Sequence, residues 1–115
     1  NGYFNKAIEY FSKAISLINE KGIKDEHNNL QNAYYNRALS YFLLGEYNKS
    51  INDFDEALKL NKEDYEAYND KGNAYYRQGN FDEAIESYKK ALSINPDFEN
   101  AKYNLERTEN ALKKI

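Results

Sequence analysis

Shifted against itself by 34 residues, the chain matches. Residues 31–64 fall on 65–98 with eight identical pairs: Ala33/Ala67, Tyr34/Tyr68, Tyr41/Tyr75, Gly45/Gly79, Ile51/Ile85, Ala57/Ala91, Leu58/Leu92 and Asn61/Asn95. Most other pairs keep their chemical class, as Tyr47/Phe81 and Phe54/Tyr88 do. A shift of 43 brings in the opening stretch through Gly2/Gly45, Phe4/Tyr47, Ile8/Ile51, Phe11/Phe54, Ala14/Ala57 and Leu17/Leu60, so a nine-residue insertion lies near 20–30. A fixed period of this length specifies a repeat architecture before any single element is assigned.

Within a unit the apolar and small residues recur at helical spacing. Tyr68, Gly72 and Tyr75 mark one stripe; Phe81, Ala84, Ile85, Tyr88, Ala91 and Leu92 mark another. Each unit therefore reads as two helices. Gly45 and Gly79 suit the stop between them, and Asp82 and Glu83 suit the acidic first turn of the next helix. Short connections force the two helices antiparallel. Glycine inside a helix costs about 1 kcal/mol relative to alanine, so Gly72 implies a close approach to the partner helix. Ala38, Ala84 and Ala91 serve the same contact, with aromatic side chains beside them. Pro96 ends the second helix, where the earlier unit has Lys62.

These residues resemble the tetratricopeptide repeat. Residues 65–98 carry Tyr68, Gly72, Tyr75, Ala84, Tyr88, Ala91 and Pro96 in its pattern; residues 31–64 carry Ala38 for the glycine, Ser50 for an alanine and Lys62 for the proline. The resemblance implies an all-α chain of antiparallel helix-pair repeats, stacked into a right-handed superhelical solenoid with a C-terminal capping helix. It implies one domain over 1–115: residues 2–19 as the second helix of a partial repeat, 20–30 as the insertion, 31–64 and 65–98 as repeats, and 99–115 as the cap. The last helix keeps a stripe of Phe98, Ala101, Leu105 and Leu112 but places Glu106 and Glu109 where a further partner would need small and aromatic residues. The first helix lacks its own partner, so Tyr3, Phe4 and Tyr10 are expected to be partly exposed or covered by residues upstream. In the insertion, Asp25 is expected to cap a long helix that starts early, with Leu30, Tyr34, Ala38 and Tyr41 on its stripe. The opening "NGYF", without methionine, suggests a fragment or a processed chain.

Composition narrows the chemistry. With no cysteine and one histidine, disulfides and thiolate metal sites are excluded, and neither phosphate-binding glycine motif is present. His27 reads as a solvated loop or cap residue. Asp53, Asp55 and Glu56 read as a solvated acidic face near Lys49 and Lys59, without the loop that calcium ligation needs. A net charge of -3, pI near 5.2 and interleaved charges argue against nucleic acid or an anionic membrane. The 12 tyrosines fall mostly on the repeat stripes, and the basic channel that base stacking needs is missing. The longest apolar runs, such as "YFLL" at 41–44, are far short of the roughly 20 residues of a membrane span. No cofactor, metal or catalytic set is expected. The compartment is unknown, with the cytoplasm favoured.

What remains is a surface. The resemblance implies a concave groove lined by the first helix of each unit, holding a peptide or protein segment, and the residues left over from the core stripes are its candidates: Tyr35, Asn36, Leu39, Leu43, Asn69, Asp70, Asn73, Arg77, Tyr103, Asn104 and Arg107. Asn36, Asp70 and Asn104 fall 34 apart. In related repeats an asparagine on this face hydrogen-bonds a peptide backbone, since its amide both donates and accepts; against this, asparagine is abundant, 17 of 115 residues. The family's carboxylate clamp for acidic chaperone tails needs lysine and arginine on successive inner faces. With 31–64 as its middle unit Asn36 matches, but Glu66 and Asp70 stand at the cationic positions; with 65–98 as its first unit Asn73 and Asn104 match and Asn69 replaces the lysine. Acidic residues would repel such a tail. The reading is thus a non-enzymatic interaction module, the alternative being a structural segment of a longer solenoid or self-association through the N-terminal helix.

Overall fold

The computed structural model describes residues 2–22 and 28–115. Among them are six helices and no strand: α1 (Gly2–Lys21), α2 (Asn29–Leu43), α3 (Tyr47–Leu60), α4 (Tyr65–Gln78), α5 (Phe81–Ile94) and α6 (Glu99–Lys113). The all-α repeat class is as expected. They form two compact units, 1–61 and 62–115. In the first, α2 packs on both α1 and α3; in the second, α5 packs on both α4 and α6, and α4 also touches α6.

The turns repeat in detail. Gly45 and Gly79 both adopt φ +81°, the left-handed conformation that glycine takes without a β-carbon clash. Past each, the next N–H reaches back over the helix end, Glu46 to the Tyr41 carbonyl and Asn80 to the Tyr75 carbonyl, each at 2.9 Å. The Asp64 carboxylate caps α4 by accepting from the Ala67 N–H at 3.1 Å. α2 begins at Asn29, two residues ahead of the repeat equivalent of Tyr65 at the start of α4, and has 15 residues against 14; Asn28, at φ 55° and ψ 32°, is left-handed and stands at its N-cap. Asp25, the expected cap, and His27 lie outside the described residues.

The core of each unit is the seam of its helix pair. Ser50, Phe54 and Ala57 on α3, and Ala84, Tyr88 and Ala91 on α5, are completely buried. Ser50 is tolerated at an alanine position because its hydroxyl donates to the Ala38 carbonyl at 2.8 Å. On α1 the equivalent Ala7, Phe11 and Ala14 are only half-buried, and Tyr3 and Tyr10 are 75% and 69% exposed. Phe4 is half-buried, edge-on to Tyr3.

One sequence reading is corrected. Asp53 is not on a solvated face: it is buried, and its carboxylate accepts two hydrogen bonds from Arg37, from Nε and from Nη2, each 2.7 Å. The third guanidinium nitrogen donates to the Ser12 hydroxyl at 3.0 Å, so Arg37 ties α2 to both α1 and α3. The Tyr34 and Tyr41 rings flank it at 5.6 and 5.9 Å. The hydrogen bond with Asp53 holds the Arg37 pKa above its ordinary value in spite of burial. Sequence proximity pointed to lysines on the same helix, and Lys59 does pair there, with Glu56; the true partner of Asp53 lies on another helix.

Candidate functional site

Of the candidate groove residues, Tyr35, Asn36, Leu39 and Leu43 lie on α2. Tyr35 turns toward α3 and packs edge-on against Phe54, ring centroids 5.7 Å apart. Asn36 lines a hollow of about 400 Å³ between α1 and α2, with Tyr10, Leu17 and Asn32. Leu39 is half-buried, and Leu43 is exposed.

The second unit carries the rest: Asn69, Asp70, Asn73 and Arg77 on α4, and Tyr103, Asn104 and Arg107 on α6. These side chains are drawn into contacts. The Asn104 Nδ2 donates to Oδ1 of Asn69 at 3.0 Å, and Asn69 itself is buried. The Tyr88 hydroxyl, rising from the core, donates to Oδ1 of Asn73 at 2.7 Å. The Arg107 guanidinium stacks 4.1 Å above the Tyr76 ring and lies 5.9 Å from that of Tyr103. Inner-face asparagines expected to stand apart from the core are thus joined to it at two points. Asp70 is half-buried and Arg77 exposed at the last turn of α4.

Burial pushes the Tyr88 phenol up to about 12, because a phenolate in that seam would lose its water. The Arg107 guanidinium faces the same oxygen and opposes the rise. Beside Arg107 opens a cavity of about 530 Å³, walled by Tyr76, Phe81 and Tyr103 and edged by Asn110 and Lys114. Asn110 and Lys114 are not among the sequence candidates, and Phe81 figures there only as a stripe residue. A signal existed: the 34-residue shift sets Asn110 on Tyr76 and Phe42. Those two aromatic residues pack on Phe81 and Tyr47, the first residues of the following helices; asparagine at the third position leaves the space open.

Among the described residues no group of three or more His, Cys, Asp or Glu side chains could hold a metal ion, and no helix is long and apolar enough to cross a membrane.

A helix-pair repeat with this seam and these turns has known counterparts. A sequence profile of the tetratricopeptide repeat matches residues 32–64 and 65–98, and a second tetratricopeptide repeat profile matches residues 1–21. The chain belongs to the tetratricopeptide repeat family, a family of protein-interaction repeats. Comparison with curated protein sequences finds no significant match. Among solved structures, the first TPR domain of human RPAP3 is similar at 26% identity and TM-score 0.83, over 98% of this chain and 82% of that one. MamA is similar at 29% identity and TM-score 0.79, over 93% of this chain and 54% of that one. The second TPR domain of human RPAP3, solved in complex with the HSP70 peptide SGPTIEEVD, shares the fold at 22% identity and TM-score 0.78, over 94% of this chain and 82% of that one.

Proposed function

We propose that the α4–α6 face of the second unit binds a peptide segment of another protein, without catalysis. The observation that carries this reading is the open cavity beside the Tyr76–Arg107 stack, which Tyr103, 66% exposed, walls with an aromatic ring. Rigid aromatic and arginine side chains around a cavity are what peptide recognition uses for anchoring. The half-buried Asn73 and Asn104 beside them supply polar contacts for a backbone. A family of interaction repeats, with a fold-alike that carries a peptide, supports the assignment. Selection of a binding peptide from a phage-displayed random library tests it: Tyr103→Ala and Arg107→Ala are expected to lower affinity while leaving the helical spectrum intact. Failure to select any binder, or binding unaffected by both changes, overturns it.

A second reading rests on α1. Tyr3, Tyr10 and Leu17 form an exposed stripe at seven-residue spacing on one face of that helix, a surface through which two copies of the chain would associate.

A further inference from the structure

Ala7, Tyr10, Ala14 and Leu17 follow one another along α1 in steps of three and four residues, and Tyr3 and Lys21 continue the series at either end. This is a heptad seam, with Ala7 and Ala14 at one core position and Tyr3, Tyr10 and Leu17 at the other. The three large side chains are exposed and the two alanines half-buried, while Ile15, off the seam, is the buried residue of α1. A helix of the α2 or α4 kind does not suit this face. Where α2 and α4 pack on α3 and α5, the position of Tyr10 is taken by Asp53 and Ser87, both buried. Tyr10 is larger than either and would hold such a helix off the alanines.

Two copies laid antiparallel do suit it, because each core layer then joins one kind of position to the other, and every large side chain faces an alanine. A parallel pair would stack tyrosine on tyrosine and leave gaps at the alanines. Two antiparallel registers satisfy the seam. In the first, Ala7 meets Leu17 of the second copy and Tyr10 meets its Ala14; in the other, shifted by one heptad, Ala7 meets Tyr10 and Tyr3 meets Ala14. Charge separates them. Lys6, Lys13 and Glu20, all exposed, flank the seam on one side. The first register sets Lys6 beside Glu20 of the second copy, twice over, whereas the shifted one sets Lys6 beside Lys13. Lys13, which meets its own copy at the axis of the first register, is already paired with Glu9 at 3.3 Å. At the ends of that register the Lys21 ammonium reaches the Tyr3 ring. We propose that two copies of the chain pair through α1 as an antiparallel coiled coil, with Tyr10 on Ala14 and Lys6 beside Glu20 of the second copy. Such an interface is self-complementary and closes as a dimer. The inference rests on the association reading given above for α1 and adds the geometry of the pair to it.

Sedimentation of the full chain over a range of concentrations gives the dissociation constant. Lys6→Glu and Glu20→Lys each place two like-charged pairs in the dimer, and each is expected to weaken it by about tenfold. The double variant restores both pairs with the signs exchanged and should return to within about threefold of the parent. Both sites are exposed, so folding should be unchanged. A spin label at Asn5→Cys, in a chain with no other cysteine, reads the register directly. Its two copies lie about 21 Å apart along the helix axis in the proposed register, against about 10 Å after a shift of one heptad. Tighter association of Lys6→Glu, no rescue in the double variant, or the shorter axial separation would overturn the register while leaving α1 as the contact. A parent that stays monomeric throughout overturns both.

Discussion

A β-carbon placed on Gly72 would stand 2.6 Å from Cε1 of Tyr88, closer than any relaxed contact allows. The glycine is therefore set by the tyrosine: Cδ1, Cε1 and Cζ of the ring occupy the space a side chain would need. It also brings the hydroxyl to Asn73 on the far side of the seam. In the first unit the same two positions are Ala38 and Phe54, both completely buried, and no hydroxyl has to cross the seam.

Gly72→Leu should accordingly force α4 and α5 apart. Overpacking of a closed seam costs about 1–3 kcal/mol or more, against a gain of about 1 kcal/mol from helix propensity. The denaturant midpoint is expected to fall, and an unchanged midpoint would mean that α4 does not meet α5 along this face.

Tyr88 also makes stability depend on pH at the alkaline end. Its phenol is raised from an ordinary 10.0 to about 12 in the folded chain. The group thus binds its proton more tightly folded than unfolded. Its contribution is complete below pH 10 and is lost as pH climbs toward 12, about 2–3 kcal/mol in total by linkage. Denaturant titrations at pH 9, 10 and 11 should show the parent losing stability more steeply than Tyr88→Phe; parallel curves would place the phenol in water.

Arg37 and Asp53 give a third test. Their side chains are 20% and 7% exposed, and removing one partner leaves a buried charge alone. Asp53→Ala is expected to cost about 3–5 kcal/mol, whereas Arg37→Met with Asp53→Leu should recover most of it, because two apolar side chains need no partner. Chemical denaturation of the three variants reads this. A double change as costly as the single one would mean that Arg37 matters chiefly through its bond to Ser12.

What was legible in the sequence follows from what repeats. Gly45 and Gly79, Phe54 and Tyr88, and Ala57 and Ala91 occupy positions whose physical demand is the same in every unit, so a shift of 34 exposes them. Arg37 and Asp53 escape because the pair occurs once: the shift turns them into Lys71 and Ser87. The Asn69–Asn104 bond escapes for another reason, since it joins residues 35 apart, and periodicity marks equivalent positions and not touching ones. Nor could the pattern tell which atom of an asparagine is already in use. That depends on Tyr88 reaching through the seam to Asn73.

The last prediction concerns α1. The shift of 43 sets Tyr10 on Asp53, which on α3 faces α2 and is held there by Arg37. On α1 that position carries an aromatic ring that is 69% exposed, flanked by Tyr3 at 75% and Leu17 at 49%. Such a stripe draws free energy from being covered. With none of the three in the buried core, Tyr3→Lys with Tyr10→Lys should change folding stability by only about 0.5 kcal/mol per site. Sedimentation over a range of concentrations is expected to show the parent associating and the double variant remaining monomeric. A parent that stays monomeric throughout, or a variant that associates equally well, would remove α1 as the contact surface.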